Sequence, residues 1–527
     1  MNLHAHRVDS HACSCCSEGL RHAWEAVRSA GVSRRSLLLG AGTAAVGTWF
    51  AAARTAAAQE AAQAAAPAIR PASRISVQPV LAYATPQRHE QTSWRPWGGI
   101  QTAADAQAEM KRIGEELAGL VKQSGLAVDL LPVCGAAGVE EARAAAARPC
   151  DVMLVYAAGG GQDILDTLLS KNRPNIVFLR HRSGPVSLWY EILHPHFMRH
   201  ATDDYQDKGI TLDDVVVDEY ADLQWRLRAL VGLRRTLGQR IVALGGPMGW
   251  GLGNKVAPGI ARDTWHLDIV TVTYEDLAGR LEKLRGDAGA VAAAARQAGE
   301  YLAGPGVSLH TDRAFVDNAM LLYRAFKDML EEHQASAFTI GHCMGTVMPI
   351  SRTTACLPLT LLNDEGLVAF CESDFVVIPA GLLMHHITGL PPFLNDPTWP
   401  HHGVVTLAHC TSPRKMNGRT LEPVKIYTHF ESDYGAAPKV EMTVGQEVTM
   451  VVPDFENRRW VGARGRVQAN PFHDICRAQI DVAIEGRWEQ LVRDMRGFHW
   501  MLTYGDCLKE VGYAIRHLGI EWTNVSA

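Results

Sequence analysis

Several things are scarce in this sequence, and each shortage excludes something. Basic side chains are not in surplus: 51 Lys and Arg face 56 Asp and Glu, a net charge of −5. A nucleic-acid partner needs a clustered basic face, so none is expected. Long apolar runs are missing beyond the first 60 residues. A bilayer span takes ~18 or more apolar residues, so no stable membrane insertion is expected once that segment is cleaved. Paired cysteines are missing too: Cys134, Cys150, Cys343, Cys356, Cys371, Cys410, Cys476 and Cys507 are scattered, with no Cys-x-x-Cys among them. A chain of this length needs no disulfide staple. Most of the eight read as buried thiols, with pairing after export left open. Ala158-Gly159-Gly160-Gly161 has neither the Lys-Ser/Thr of a phosphate loop nor GxGxxG spacing. It reads as a strand-to-helix turn or a loop facing a ligand. No internal repeat is visible.

What is present is ordinary globular material: 527 residues, 47% apolar and 20% charged. That length predicts several domains, and the composition excludes a mostly disordered chain.

The start of the chain reads as an address. Ser33-Arg34-Arg35-Ser36-Leu37-Leu38 precedes a small-residue apolar stretch, and Ala56-Ala57-Ala58 precedes Gln59. This order of motif, apolar run and cleavage site predicts a twin-arginine signal over residues 1–58. A disordered Ala/Gln/Pro linker follows over 59–73. The twin-arginine export machinery is then a partner, and the destination is periplasmic. An amphipathic helix with an incidental Arg pair, or an uncleaved anchor, are the competing readings. Cys13, Cys15 and Cys16 leave with the signal. Cargo of this pathway folds before export, so a metal can be loaded where the cell controls supply.

The body alternates strands and helices. Residues 74–81, 126–133, 152–156 and 175–180 read as strands, with helices over 103–123, 139–147 and 162–170. A second unit carries strands at 240–244, 267–272 and 337–340 and helices at 218–237, 291–303 and 316–332. Such alternation predicts parallel, doubly wound sheets. After about Leu359 short strands, Pro, Gly and His take over. The expected fold is therefore α/β: two doubly wound α/β domains, over 74–183 and 184–350, then a β-rich α+β domain over 351–527.

Nine of the 22 His follow residue 384, close to several acids. Glu372, Asp396, His409 and His499 each sit on apolar flanks. Carboxylates and imidazoles in such surroundings have the composition of a divalent metal site, since a buried lone carboxylate is costly. Spacing alone leaves each one open between ligand and satisfied structural side chain. His385-His386 and His401-His402 read as surface or helix residues. His194, His196 and His200 read as ligands, as the polar wall of a cleft, or as structural.

Residues 361–374 (Leu361-Leu362-Asn363-Asp364 through Phe370-Cys371-Glu372-Ser373-Asp374), Gly389-Leu390-Pro391-Pro392-Phe393-Leu394-Asn395-Asp396 and Leu407-Ala408-His409-Cys410 resemble the L-fucose isomerase and L-arabinose isomerase superfamily, nearest its L-fucose-isomerase-related branch. Trp94-Arg95-Pro96-Trp97-Gly98-Gly99 and residues 498–506 (Phe498-His499-Trp500 onward) are similar to the same branch. The resemblance spans about 74–523 and is most specific in the C-terminal half. It implies a cleft between the domains holding Mn²⁺, or another divalent metal, on an acidic pair two dozen residues apart and a late His. Glu372 and Asp396, 24 residues apart, and His499 match those positions. His409 stands where the arabinose branch has a further His. The family also tends to multimers, so a homo-oligomer is an expectation.

The implied chemistry is aldose–ketose isomerisation of a small sugar or sugar derivative through an enediol. Glu372 and Asp396 would be both ligands and proton carriers. Trp94, Arg95 and Trp97 would line the sugar cleft, or else pack domains together. Sugar isomerases ordinarily work in the cytoplasm, and this chain carries an export signal. An exported carbohydrate-binding protein without catalysis, or a metal-dependent hydrolase or aldolase on the same scaffold, are therefore the alternatives.

Overall fold

The computed structural model describes residues 74–87, 89–91, 99–185 and 209–527. The expected signal and linker, the Trp94, Arg95 and Trp97 loop, and the His194, His196 and His200 cluster lie outside the described residues.

The first sheet is parallel throughout: β1 (Ile75–Ala82), β2 (Val128–Leu130), β3 (Cys134–Ala136), β4 (Val152–Ala157), β5 (Asn175–Leu179) and β6 (Val215–Val217). Their order is β2-β1-β4-β5-β6, with β3 also on β1. Every residue of β4 and β5 is buried, as a sheet covered on both faces requires. Alternate β4 residues show the two faces. Val152, Leu154 and Tyr156 join one core with Ile113 and Leu117, and Met153, Val155 and Ala157 join another with Ala142, Ile164 and Leu168. The Ala103–Ser124 helix presents Ile113 and Leu117 inward. It starts on a Thr102/Asp105 capping box and stops at Gly125 in the left-handed conformation.

The second sheet comprises β7 (Arg240–Leu244) and β8 (Asp268–Val272), then, past β9 (Val307–Leu309), β10 (Ala337–Ile340) and β11 (Val368–Phe370), in the order β11-β10-β7-β8. It is parallel as well. Sheet pairing thus continues from the second α/β unit through residue 370.

The remaining strands are β12 (Phe393–Pro397), β13 (Val404–His409), β14 (Val424–His429), β15 (Tyr434–Val440), β16 (Glu447–Pro453), β17 (Arg459–Ala469), β18 (Ala478–Ile484), β19 (Trp500–Tyr504) and β20 (Glu521–Asn524). Seven of them run β16-β19-β12-β13-β18-β17-β20, and β16 also pairs with β17. That extra pairing closes six antiparallel strands on themselves, which removes their free edges. β14 and β15 form a small sheet with β9 running parallel beside β14, so a strand from the second α/β unit is stitched into the C-terminal region.

The α/β character, the parallel sheets and the β-rich C-terminal region match the expected fold, with local differences. Of the expected 126–133 strand only Val128–Leu130 forms, and a separate short strand begins at Cys134 beyond Leu131-Pro132-Val133, where Pro132 has no N–H to donate to a ladder. A helix at Tyr274–Gly286, not expected, precedes the one at Ala288–Leu302. The apolar Phe375-Val376-Val377-Ile378 run leads into a helix at Ile378–Thr388, buried from Ile378 to Met384. Its apolarity belongs to the core behind the acid motif. Among the described residues no helix is long and apolar enough to cross a membrane.

Candidate active site

β11 ends at Phe370, and the chain turns sharply through Glu372 (φ 64) and Ser373 (φ 53). Left-handed backbone at a residue with a Cβ costs roughly 1–2 kcal/mol, so the surroundings must hold it there. They do so from the loop after β7. The Ser373 hydroxyl donates to the Gly246 carbonyl at 2.8 Å. The Met248 N–H donates to the Ser373 carbonyl at 3.1 Å, and the Phe375 N–H to the Met248 carbonyl at 2.9 Å. The result aims Glu372 away from the parallel sheet and toward the closed antiparallel one. It also sits at the carboxyl end of a parallel strand, where sheets of this kind gather ligands.

The antiparallel strands supply the other groups by register. Asp396 on β12 lies opposite Ala408 on β13, one residue from His409. Asn395 lies opposite Trp500 on β19, one residue from His499. Four side chains far apart in sequence therefore converge. His499 Nε2 is 3.3 Å from Glu372 Oε2 and 3.3 Å from Asp396 Oδ1. His409 Nε2 is 3.7 Å from Glu372 Oε1. The two imidazole rings are 6.2 Å apart. Both imidazoles are almost fully enclosed, at 0% and 4% side-chain exposure, while Glu372 and Asp396 keep 23% and 17%. The carboxylates are the members that a small molecule can still reach.

A fifth side chain completes the cluster. Asp374 Oδ2 lies 2.7 Å from His499 Nδ1, and its other oxygen accepts from the Trp250 and Val376 N–H groups. An anchored carboxylate on Nδ1 fixes the ring and presents Nε2 to Glu372 and Asp396, the arrangement that orients metal-binding histidines. The His409 ring is steadied by the Thr411 hydroxyl, 3.1 Å from Nδ1. Beside His499, Trp250 and Phe498 stack face to face at 3.7 Å.

The electrostatics follow from crowding acids and bases out of water. Burial pushes the Asp396 carboxyl up to about 6, and the charges of His499 and His409 only partly oppose this. Burial acts the same way on Glu372, but the two imidazoles facing it prevail and hold it well below the usual carboxylate range. Burial favours neutral imidazoles, yet the carboxylates raise both: Glu372 and Asp396 act on His409, and Asp374, Glu372 and Asp396 on His499.

The donor set fits a divalent ion. Asp396, His409 and His499 bring ligand atoms within 4.8 Å of one another, and Glu372 and His409 do so together with Cys371. Asp396 Oδ1 and His499 Nε2 are buried and make no sound hydrogen bond, although both point into the same space. Such orphaned atoms are rare unless something else satisfies them. Two carboxylates and two imidazoles suit a hard or borderline cation.

Glu372, Asp396, His409 and His499 are thus brought together. Asp374 is the member that the sequence expectations do not include, although a second acid two residues after Glu372 in an apolar segment is a signal for it. His385 and His386 lie in the last turn of the Ile378–Thr388 helix, bonded to the Leu390 carbonyl and to Gln239. His401 and His402 are exposed.

Fold and site together define an α/β protein with two parallel sheets, a β-rich C-terminal region, and a buried carboxylate–imidazole cluster at their junction. In sequence the chain is similar to the sulfoquinovose isomerase of Clostridium sp. (strain MSTE9), 28% identical over 214 residues. The similar stretch covers 37% of this chain and 45% of that protein, so the chain matches less than half of the relative's length. No protein-family model matches the chain.

Proposed function

We propose that the protein is a metal-dependent aldose–ketose isomerase acting on a sugar or sugar derivative. One observation carries the proposal: Glu372 and Asp396, 24 residues apart, meet at the same imidazole, each 3.3 Å from His499 Nε2. Binding a sugar does not require two acids and two imidazoles in one enclosed cluster. Moving a proton between neighbouring carbons needs a positioned acid/base group beside the reacting atoms, and this cluster offers two carboxylates for that role. The relative's name, that of a sugar isomerase, points the same way.

In this reading Glu372, Asp396, His409 and His499 hold a divalent ion, with Mn²⁺ the first candidate. When bound, such an ion polarises the substrate oxygens on the two reacting carbons as negative charge develops there. The chain's own groups do the rest. Glu372 and Asp396, the two partly open members, take the proton from one carbon and return it to its neighbour. Asp374 keeps His499 turned toward them. Enclosure by His409, His499, Trp250 and Phe498 limits water at the reacting atoms. The proposal assigns sugar binding to the segment of Trp94, Arg95 and Trp97, which lies outside the described residues, and a periplasmic location to the reaction on the strength of the expected twin-arginine signal.

The test is solvent isotope exchange. Full-length protein supplied with Mn²⁺ in D₂O is screened against a panel of aldoses and ketoses. Deuterium at C1 or C2 of one of them supports the proposal, provided that Glu372→Gln abolishes it while calorimetry shows retained sugar binding. Sugar binding by the wild type without any exchange would establish a carbohydrate-binding protein instead.

A further inference from the structure

Directly behind the carboxylate–imidazole cluster lies a second group of metal-ligating side chains. His409 is the last residue of β13 and Cys410 follows it. Successive side chains along an extended segment point to opposite faces. His409 reaches Glu372. Cys410 turns the other way and packs with Cys356 and Cys476 around Ala437. The sulfur atoms of Cys356 and Cys410 and a ring nitrogen of His429 lie within 4.8 Å of one another. All three residues are buried, at 4%, 2% and 8% exposure. The thiols are free.

We propose that Cys356, Cys410, Cys476 and His429 form a second metal site, thiolate-rich and suited to Zn²⁺. The donors come from four separate segments: the first residue of the Cys356–Asp364 helix, the residue after β13, the end of β14, and the loop before β18. Three sulfurs and one imidazole are a tetrahedral zinc donor set. They are soft where the first site is hard, so the two sites select different ions. The ring is already oriented, with His429 Nδ1 3.3 Å from the Ser432 hydroxyl. The Arg477 backbone N–H points at the Cys410 sulfur from 3.5 Å and helps to fix its position. Bound there, the ion pins the β14–β15 sheet to the strand that carries His409. Its role is to hold that strand, and no substrate touches it.

Cobalt substitution tests this without reference to sugar chemistry. Full-length protein is stripped with chelator and titrated with Co²⁺. A thiolate-to-cobalt charge-transfer band in the near ultraviolet is expected, and it must survive Cys371→Ser, since Cys371 lies beside the first cluster. The band is lost in Cys356→Ser and in Cys410→Ser and kept in Glu372→Gln. Serine at buried positions can prevent folding, so zinc-edge X-ray absorption on the zinc-loaded wild type is the second measurement. Sulfur neighbours at ~2.3 Å support the site. Cobalt uptake with no charge-transfer band, a zinc shell of nitrogen and oxygen alone, or a disulfide among Cys356, Cys410 and Cys476 in protein as isolated would each overturn it.

Discussion

Asp374 and His499, 125 residues apart in sequence, meet through a 2.7 Å contact between a carboxylate oxygen and Nδ1. The contact joins the parallel sheet to the antiparallel one, because Asp374 belongs to the turn after β11 and His499 leads into β19. It also decides which nitrogen of His499 is free. Asp374→Asn keeps the acceptor oxygen for the Trp250 and Val376 N–H groups but removes the charge on Nδ1. Mn²⁺ affinity is expected to fall ~10–100-fold, the usual cost of losing such a support, with thermal stability little changed. Calorimetric titration with Mn²⁺ measures it, and unchanged affinity would remove the positioning role.

The acid pair has a sharper expectation. Glu372→Gln and Asp396→Asn preserve shape while removing the carboxylates that carry the proton. Each is expected to lower the rate of deuterium exchange at C1 or C2 by at least ~10²-fold. Exchange that survives either change would mean that the proton travels by another group.

Packing behind the acid motif depends on Gly381 in the Ile378–Thr388 helix. A Cβ there would lie 2.6 Å from the Phe370 ring and 2.9 Å from the Met501 methyl. Gly381→Ala overpacks the contact between that helix, β11 and β19, and is expected to cost about 1–3 kcal/mol. Urea denaturation gives the value. A variant as stable as the wild type would show that the core yields there.

His386 provides a pH dependence remote from the cluster. Burial, assisted by the nearby charges of His385 and Arg235, holds its imidazole down at about 3, and Nε2 is 3.0 Å from Gln239 Oε1. The folded-state pKa is depressed, so the folded chain binds fewer protons than the unfolded one between about 3 and the ordinary value of 6.5. Stability from this group is fully present above 6.5 and is lost as pH falls through that window. The stability difference between wild type and His386→Gln should therefore shift against the wild type by about 1.4 kcal/mol per pH unit on acidification. Parallel stability–pH curves would show that His386 carries no such shift.

Much of this was legible in the sequence, and the physical reasons are specific. Glu372, Asp396 and His499 stood out because two acids and a late His matched a family pattern; spacing alone left each undecided. Their convergence depends on β12 pairing with β13 and β19, a register no local pattern encodes. Closure of β16 onto β17 is hidden for the same reason: the strands are readable by alternation, their partners are not. The Tyr274–Gly286 helix is hard to read because its core-facing stripe, Tyr274, Leu277, Leu281 and Leu284, is one residue wide per turn, with charged residues filling much of the rest. The thiol cluster was invisible because Cys356, Cys410, His429 and Cys476 share no spacing motif.

The central claim is that one hard divalent ion is held jointly by the side chains of Glu372, Asp396, His409 and His499. Mn²⁺ titration followed by electron paramagnetic resonance tests it most directly, since free and bound ion are counted separately. The account predicts a single tight class of Mn²⁺ site in the wild type that is lost in both Glu372→Gln and Asp396→Asn. Tight Mn²⁺ binding that persists undiminished in either variant would contradict it.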